Sequence, residues 1–342
     1  MYADGHCDYL YKAMKNQPAV MTVDRLIESR VSLQNFAIYV DTERVQRGRI
    51  KAREIREKQK IRENRKIIAD TYRQLDIFRQ TITKVDGVIH VTRGADFVRN
   101  DKLHALLSLE GCDNLAIEPE LFDALWTAGV RIFGLTWNHD NAYASSCHTR
   151  LTTGLTDRGN ELVREIASRC GIIDVSHLSE PAFWDIVALN EQIAETGNGI
   201  TETDNPIAKI DGRQLAIIAT HSNCQALCDH RRNLSDRQIT ALIEQKGIIG
   251  INFVPEFLRE NGCVTIDDVI RHIDHVLTLG GMETVAIGSD YDGAEMAEEM
   301  KSPVITYARL AEALEKRYNQ QIMEGIMYNN WQTYLQKHLP YE

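Results

Sequence analysis

Asp4-Gly5-His6-Cys7-Asp8 opens the chain with two metal-ligand residue types, His6 and Asp8, one residue apart. In a β-strand the side-chain period of two puts both on one face. A strand end is a stiff platform, so two donors there can hold a cation with little ordering cost. Taken alone, His-x-Asp also describes a polar turn near a terminus, since so short a motif matches by chance. Four further apolar runs give it weight, because they end in Glu110, His177, His221 and Asp290.

Those runs belong to a longer series. Residues 4–8, 36–40, 105–110, 131–136, 172–177, 216–221, 248–253 and 285–290 read as strands separated by helix-like stretches. Their near-continuous apolar character suits strands buried on both faces of a parallel sheet. The alternation predicts an α/β fold, a (β/α)₈ TIM-type barrel, as a single domain over residues 1–342. The charged residues fall at the C-terminal ends of their runs, where barrel active sites form.

Two departures from a plain barrel are expected. Residues 42–84 read as a helical insertion, with Ile50, Ile61, Ile68, Tyr72 and Leu75 near helical spacing. Its stretch from Arg44 to Lys66 is locally basic. Interleaved Glu54, Glu57 and Glu63 favour a solvated helix face over a nucleic-acid stripe, because they supply i,i+3 and i,i+4 partners. Residues 194–212 hold Gly, Thr, Asn, Asp and Pro and read as an extended loop. Elsewhere, Thr156-Asp157-Arg158-Gly159 reads as a loop entering a helix, and Ser179 reads as the cap of another, with Pro181 in its first turn.

Composition sets outer bounds. A formal net charge of −10 over 342 residues argues against non-specific nucleic-acid binding. No apolar run is long enough to span a membrane, and no basic-then-apolar leader precedes Asp4. Seven cysteines, an odd number without disulfide-like spacing, fit a reducing interior such as the cytoplasm. A homodimer is compatible with all of this.

A lone histidine is more often a hydrogen-bonded core residue than a ligand. Four strand ends bringing together His6, Asp8, Glu110, His177 and His221 are harder to explain as packing. Burying those charges without a cation costs several kcal/mol. Two His-and-carboxylate sets sharing Glu110 would suit a pair of Zn²⁺ ions bridged by hydroxide.

The chain resembles the membrane (renal) dipeptidase family, binuclear zinc dipeptidases on an amidohydrolase-type barrel. The resemblance runs from Asp4 to about Gly293. It is carried by Asp4-Gly5-His6-Cys7-Asp8, Ser108-Leu109-Glu110-Gly111, Asp174-Val175-Ser176-His177, Thr220-His221-Ser222-Asn223, His230-Arg231-Arg232-Asn233 and Ser289-Asp290-Tyr291-Asp292-Gly293. Carried over by position, it implies that His6 and Asp8 bind one zinc and His177 and His221 the other. Glu110 would bridge them, Asp290 would transfer protons, and Arg232 would hold the substrate's free carboxylate. The residue types agree with the roles, since an arginine fork matches a planar carboxylate and a carboxyl group can carry a proton to a leaving amine. Without the resemblance, Arg232 beside Arg231 reads as a helix-surface charge.

This sequence departs from the family's pattern in two places. Leu135-Thr136-Trp137-Asn138-His139 puts Trp137 where the family commonly has a substrate-contacting histidine. His139, two residues on, is a candidate replacement, and Trp137 a candidate pocket wall. His177 and His221 are also further apart than usual, through the stretch 194–212. The reading is a cytoplasmic zinc dipeptidase with a dipeptide as its partner. Two alternatives stay open: a lactonase or N-acyl amino acid hydrolase using the same metals, and a non-catalytic metal- or peptide-binding protein.

Overall fold

A computed structural model describes residues 1–42, 53–98, 102–149, 153–196 and 215–341. Among the described residues nine parallel strands form one sheet: β1 (Tyr2–Cys7), β2 (Val31–Tyr39), β3 (Val88–His90), β4 (Leu103–Glu110), β5 (Val130–Gly134), β6 (Ile172–Asp174), β7 (Ala216–Ala219), β8 (Ile248–Ile251) and β9 (Val285–Ile287). Eight of them run in the order β1-β2-β4-β5-β6-β7-β8-β9. The ring closes just past the ends of β1 and β9. There Asp8 N donates to Tyr291 O at 2.9 Å and Asp290 N to His6 O at 3.2 Å. The expected (β/α)₈ barrel is therefore present.

The ninth strand, β3, is the one that the expected series lacks. It pairs with the first residues of β4, Leu103 to Ala105, before β5 joins that strand at Leu107. Three half-buried residues, Val88, Ile89 and His90, are too short a run to announce a strand.

Alternation along the strands separates two apolar layers. Leu106, Ile132, Ile172, Ile218, Ile248 and Ala286 share the barrel interior with Trp331 and Leu335 from the C-terminal helix Asn330–His338. Trp331 Nε1 donates to Ile287 O at 2.8 Å, and Tyr334 OH to Ile217 O at 3.1 Å. Their polar tips are thus satisfied while their rings fill the core, as buried aromatics require. The intervening residues, such as Leu107, Phe133, Ile173, Ile217 and Ile249, pack against the outer helices.

The helix Arg53–Ile77, continued by a π-turn at Phe78–Ile82, occupies most of the stretch expected to be helical. It docks through Gln74, whose side chain donates to Tyr39 O at 2.6 Å and accepts from Tyr39 N at 3.1 Å. That contact holds the free end of β2 beside the barrel mouth. Residues 43–52 lie outside the described residues, as do residues 197–212 of the expected loop. The first part of that loop, up to Thr196, is instead the end of the helix Glu180–Thr196.

Two local readings are refined. Asp157-Arg158-Gly159 is the first turn of the helix Asp157–Ser168, not a loop. The Thr156 hydroxyl accepts from Gly159 N at 3.0 Å, a side-chain cap that satisfies a free helix donor. Ser179 caps its helix as expected, accepting from Ala182 N at 3.2 Å.

Candidate functional site

The expected site residues converge at the C-terminal mouth of the barrel. His6, Asp8, Glu110, His177, His221 and Asp290 are all buried. His6 and Glu110 lie on strands β1 and β4, while Asp8, His177, His221 and Asp290 stand one to three residues beyond strand ends. His177 and Asp290 adopt left-handed backbone, with φ of 67° and 66°. That conformation is uncommon outside glycine and clusters at functional sites.

Glu110 is the centre of the arrangement. Its Oε2 lies 3.7 Å from His6 Nε2, and its Oε1 lies 3.0 Å from His177 Nε2 and 3.4 Å from His221 Nε2. His6 Nε2 is also 3.5 Å from Asp8 Oδ2 and 3.9 Å from Asp290 Oδ1. Each Glu110 oxygen thus faces a different half of the site. Two overlapping sets have ligand atoms within 4.8 Å of one another: His6, Glu110 and His221, and His6, Asp8 and Asp290.

The donor set fits a cation. Asp8, Glu110 and Asp290 are three buried carboxylates. Among the described residues, His6 Nδ1, His6 Nε2 and Asp8 Oδ1 are buried without a hydrogen-bond partner. A Cβ on Gly293 would fall 2.3 Å from both Asp290 Oδ1 and Asp8 Oδ2, so only glycine leaves room where these carboxylates meet. Burial lowers the proton affinity of the His6 imidazole, but Glu110, Asp8 and Asp290 outweigh it and hold the group at about 10. Burial pushes Glu110 well up and Asp290 to about 6. Burial also pushes His177 and His221 well below the ordinary histidine range, leaving them neutral. Neutral imidazoles beside carboxylates are the form in which these groups ligate metals.

Supporting residues fix the orientation. Thr220 Oγ1 lies 2.8 Å from His221 Nδ1 and donates to Asp174 Oδ2 at 2.5 Å. Asn138 Oδ1 lies 3.0 Å from His177 Nδ1. Asn252 Nδ2 donates to Asp290 Oδ2 at 3.0 Å. Asp4 ties β1 to the chain after β9, accepting from Ser289 N at 2.8 Å, from Ser289 Oγ at 2.5 Å and from Tyr307 OH. Sequence reasoning missed Asn138, Thr220 and Asn252 as supports. Their only signal is a polar side chain next to a strand end.

Arg232 is 4% exposed, so the surface reading of this residue is wrong. Its Nη2 donates to His221 O at 3.1 Å, and its Nε has no partner among the described residues. Trp137 lies beside the site, with its ring 6.3 Å from that of His177 and 4.7 Å from that of Tyr39. The chain bends at residues 137–139, after β5 has ended at Gly134, so strand alternation does not align Trp137 with His139. The His139 ring stands edge-on to Trp137 at 6.0 Å.

Known proteins share this fold. A family model described as membrane dipeptidase (peptidase family M19) matches residues 1–337. An uncharacterised Klebsiella pneumoniae protein from the pqqA 5' region is 31% identical over 275 residues, 76% of this chain and 93% of that protein. The crystal structure of dipeptidase AC, a metallo peptidase of family M19, superposes with a TM-score of 0.72 at 22% identity, covering 99% of this chain and 98% of that one. A Rhodobacter sphaeroides metallo peptidase, liganded with a phosphinate mimic of L-Ala-D-Ala, superposes with a TM-score of 0.71 at 23% identity, covering 98% and 99%. At such identity the two structures speak for the barrel. The family model spans nearly the whole chain, and the chain belongs to the membrane dipeptidase family.

Proposed function

We propose that this chain, a metallo-dipeptidase by family, cleaves dipeptides at two zinc ions held on either side of Glu110. His6 and Asp8 would hold one ion, and His177 and His221 the other. The observation that carries this reading is Glu110 itself, whose two oxygens face His6 on one side and the His177–His221 pair on the other. When bound, the metals make water nucleophilic near neutral pH and polarise the scissile carbonyl.

The protein's own groups do the rest. The buried Arg232 fork would donate to the substrate's free carboxylate, using the Nε that has no partner among the described residues. Asp290, oriented by Asn252, would take the proton from the attacking water and pass it to the leaving amine. Trp137 would wall the pocket, and His139 would donate to the carbonyl oxygen. Among the described residues the cysteines form no disulfide, which supports a reducing compartment such as the cytoplasm. Among the described residues, no helix is long and apolar enough to cross a membrane.

The test is metal analysis beside turnover of a dipeptide panel. Two ions per active chain are expected, lost together with activity on chelation. Glu110→Gln should lose both ions more completely than His6→Ala. Activity with a single ion per chain would overturn the binuclear arrangement. Cleavage of N-acyl amino acids or lactones in preference to dipeptides would overturn the substrate class.

A further inference from the structure

The mouth of the barrel continues into a cavity of about 540 Å³. His177 and Arg232 line it, and so do Arg231 and Arg237. Three guanidiniums therefore share one space in a chain whose formal net charge is −10. Among the described residues none of the three forms an ion pair with a carboxylate. Arginines elsewhere do: Arg169 meets Asp123 at 2.7 Å and Glu165 at 2.6 Å, and Arg317 meets Asp274 at 2.5 Å. With acidic residues in excess, this concentration of unpaired arginine marks the cavity as a place for anions.

We propose that this cavity receives the side chain of the substrate's C-terminal residue and selects an acidic one, so that the preferred dipeptides end in glutamate or aspartate. The proposal rests on the dipeptidase reading and on Arg232 holding the α-carboxylate, because that contact turns the C-terminal residue toward the cavity.

Charge balance gives the argument its direction. Glu180 also lines the cavity, and its Oε1 accepts from Trp184 Nε1 at 3.2 Å. Arg237 lies over the Trp184 ring at 5.2 Å. Arg231 is anchored by one donor, Nη1, to His148 O at 2.9 Å. Once Arg232 is matched by the α-carboxylate, Arg231 and Arg237 face the single charge of Glu180. One further carboxylate neutralises the cavity, whereas a neutral side chain leaves a positive charge and a basic one doubles it. The Ser222 hydroxyl, also in the lining, is buried without a partner among the described residues and adds a donor for a bound oxygen.

The experiment compares Ala-Glu with its isostere Ala-Gln, each with an L and a D second residue, on the metal-loaded full chain. kcat/KM should favour the acid by roughly five- to thirty-fold, and the preference should shrink as salt is raised. In the Arg231→Gln/Arg237→Gln double variant the acid-to-amide ratio should fall toward one. Without metal, free glutamate should raise Tm more than glutamine does, and the double variant should lose that difference. Equal or better cleavage of Ala-Gln by the unaltered chain overturns the proposal while the dipeptidase reading stands. A ratio unchanged in the double variant removes Arg231 and Arg237 as its source. If neither is cleaved while other dipeptides of the panel are, the substrate proposal falls and the dipeptidase reading stands; if no dipeptide of the panel is cleaved, both fall. Equal Tm shifts for the two amino acids would independently remove the cavity's preference for acids.

Discussion

His221 Nδ1 lies 2.8 Å from Thr220 Oγ1, and that hydroxyl gives its own proton to Asp174 Oδ2 at 2.5 Å. A hydroxyl has one hydrogen, so Thr220 can only accept from the imidazole. The proton of neutral His221 is thereby fixed on Nδ1, and the Nε2 lone pair faces Glu110. Partners of this kind typically contribute 10- to 100-fold in metal affinity. Thr220→Val should weaken metal binding by roughly that factor, and Thr220→Ser should restore it. Competition titration against a chelator reads the effect directly. Equal affinity in the valine variant would show that His221 keeps its orientation by packing alone.

Asp290→Asn separates proton transfer from metal retention. The amide keeps the size of the side chain and can still meet Asn252, but it cannot carry a proton. Turnover should fall by about 10²–10⁴-fold, the usual contribution of general acid–base steps, with most metal retained. Near-normal kcat at full metal content would remove Asp290 from proton transfer.

His272 should make stability depend on pH away from the metal centre. Its Nδ1 accepts from Cys224 N at 3.0 Å and its Nε2 meets Leu258 O at 3.0 Å, so the neutral tautomer is fully used. Protonation would put a hydrogen on Nδ1 facing the Cys224 N–H. Burial pushes the group down to about 4. Because the unfolded chain titrates near 6.5, it binds more protons than the fold between 6.5 and 4. The stability that neutral His272 contributes is complete above pH 6.5 and is lost as pH falls through 4, by about 3 kcal/mol in all. Chemical denaturation across this range should show a shallower pH slope for His272→Gln. An unchanged slope would mean that the imidazole is not held neutral.

The barrel and its charged rim could be read from sequence for one physical reason. Strands such as Ala216–Ala219 are buried on both faces, so their apolar runs are continuous and the first charged residue marks the mouth. His6, Glu110 and Asp290 stand out because a carboxylate or imidazole at the end of such a run needs a partner. Asn138 and Thr220 do not stand out, because small polar residues beside strand ends are common and only distance shows which imidazole they hold. Arg232 reads as a helix-surface charge until the fold buries it at the edge of the cavity. The turn after β5 was beyond reach for the same reason, since a bend at residues 137–139 sets the direction of each side chain independently.

That turn supplies the last prediction. Trp137 is on that turn, and its ring lies 6.3 Å from the His177 ring. An indole has one donor and no acceptor, so it cannot ligate a metal, but it can shield the site with its apolar face. Trp137→Ala should therefore act mainly on KM. His139, whose ring is 6.0 Å from Trp137, is the imidazole on the same turn. If it donates to the developing oxyanion, His139→Ala should lower kcat by about 10²–10³-fold with little change in KM or metal content. The split between the two variants is the measurement. A kcat within a few-fold of the unaltered protein would exclude His139 as the oxyanion donor. The carbonyl would then be polarised without a histidine on this turn.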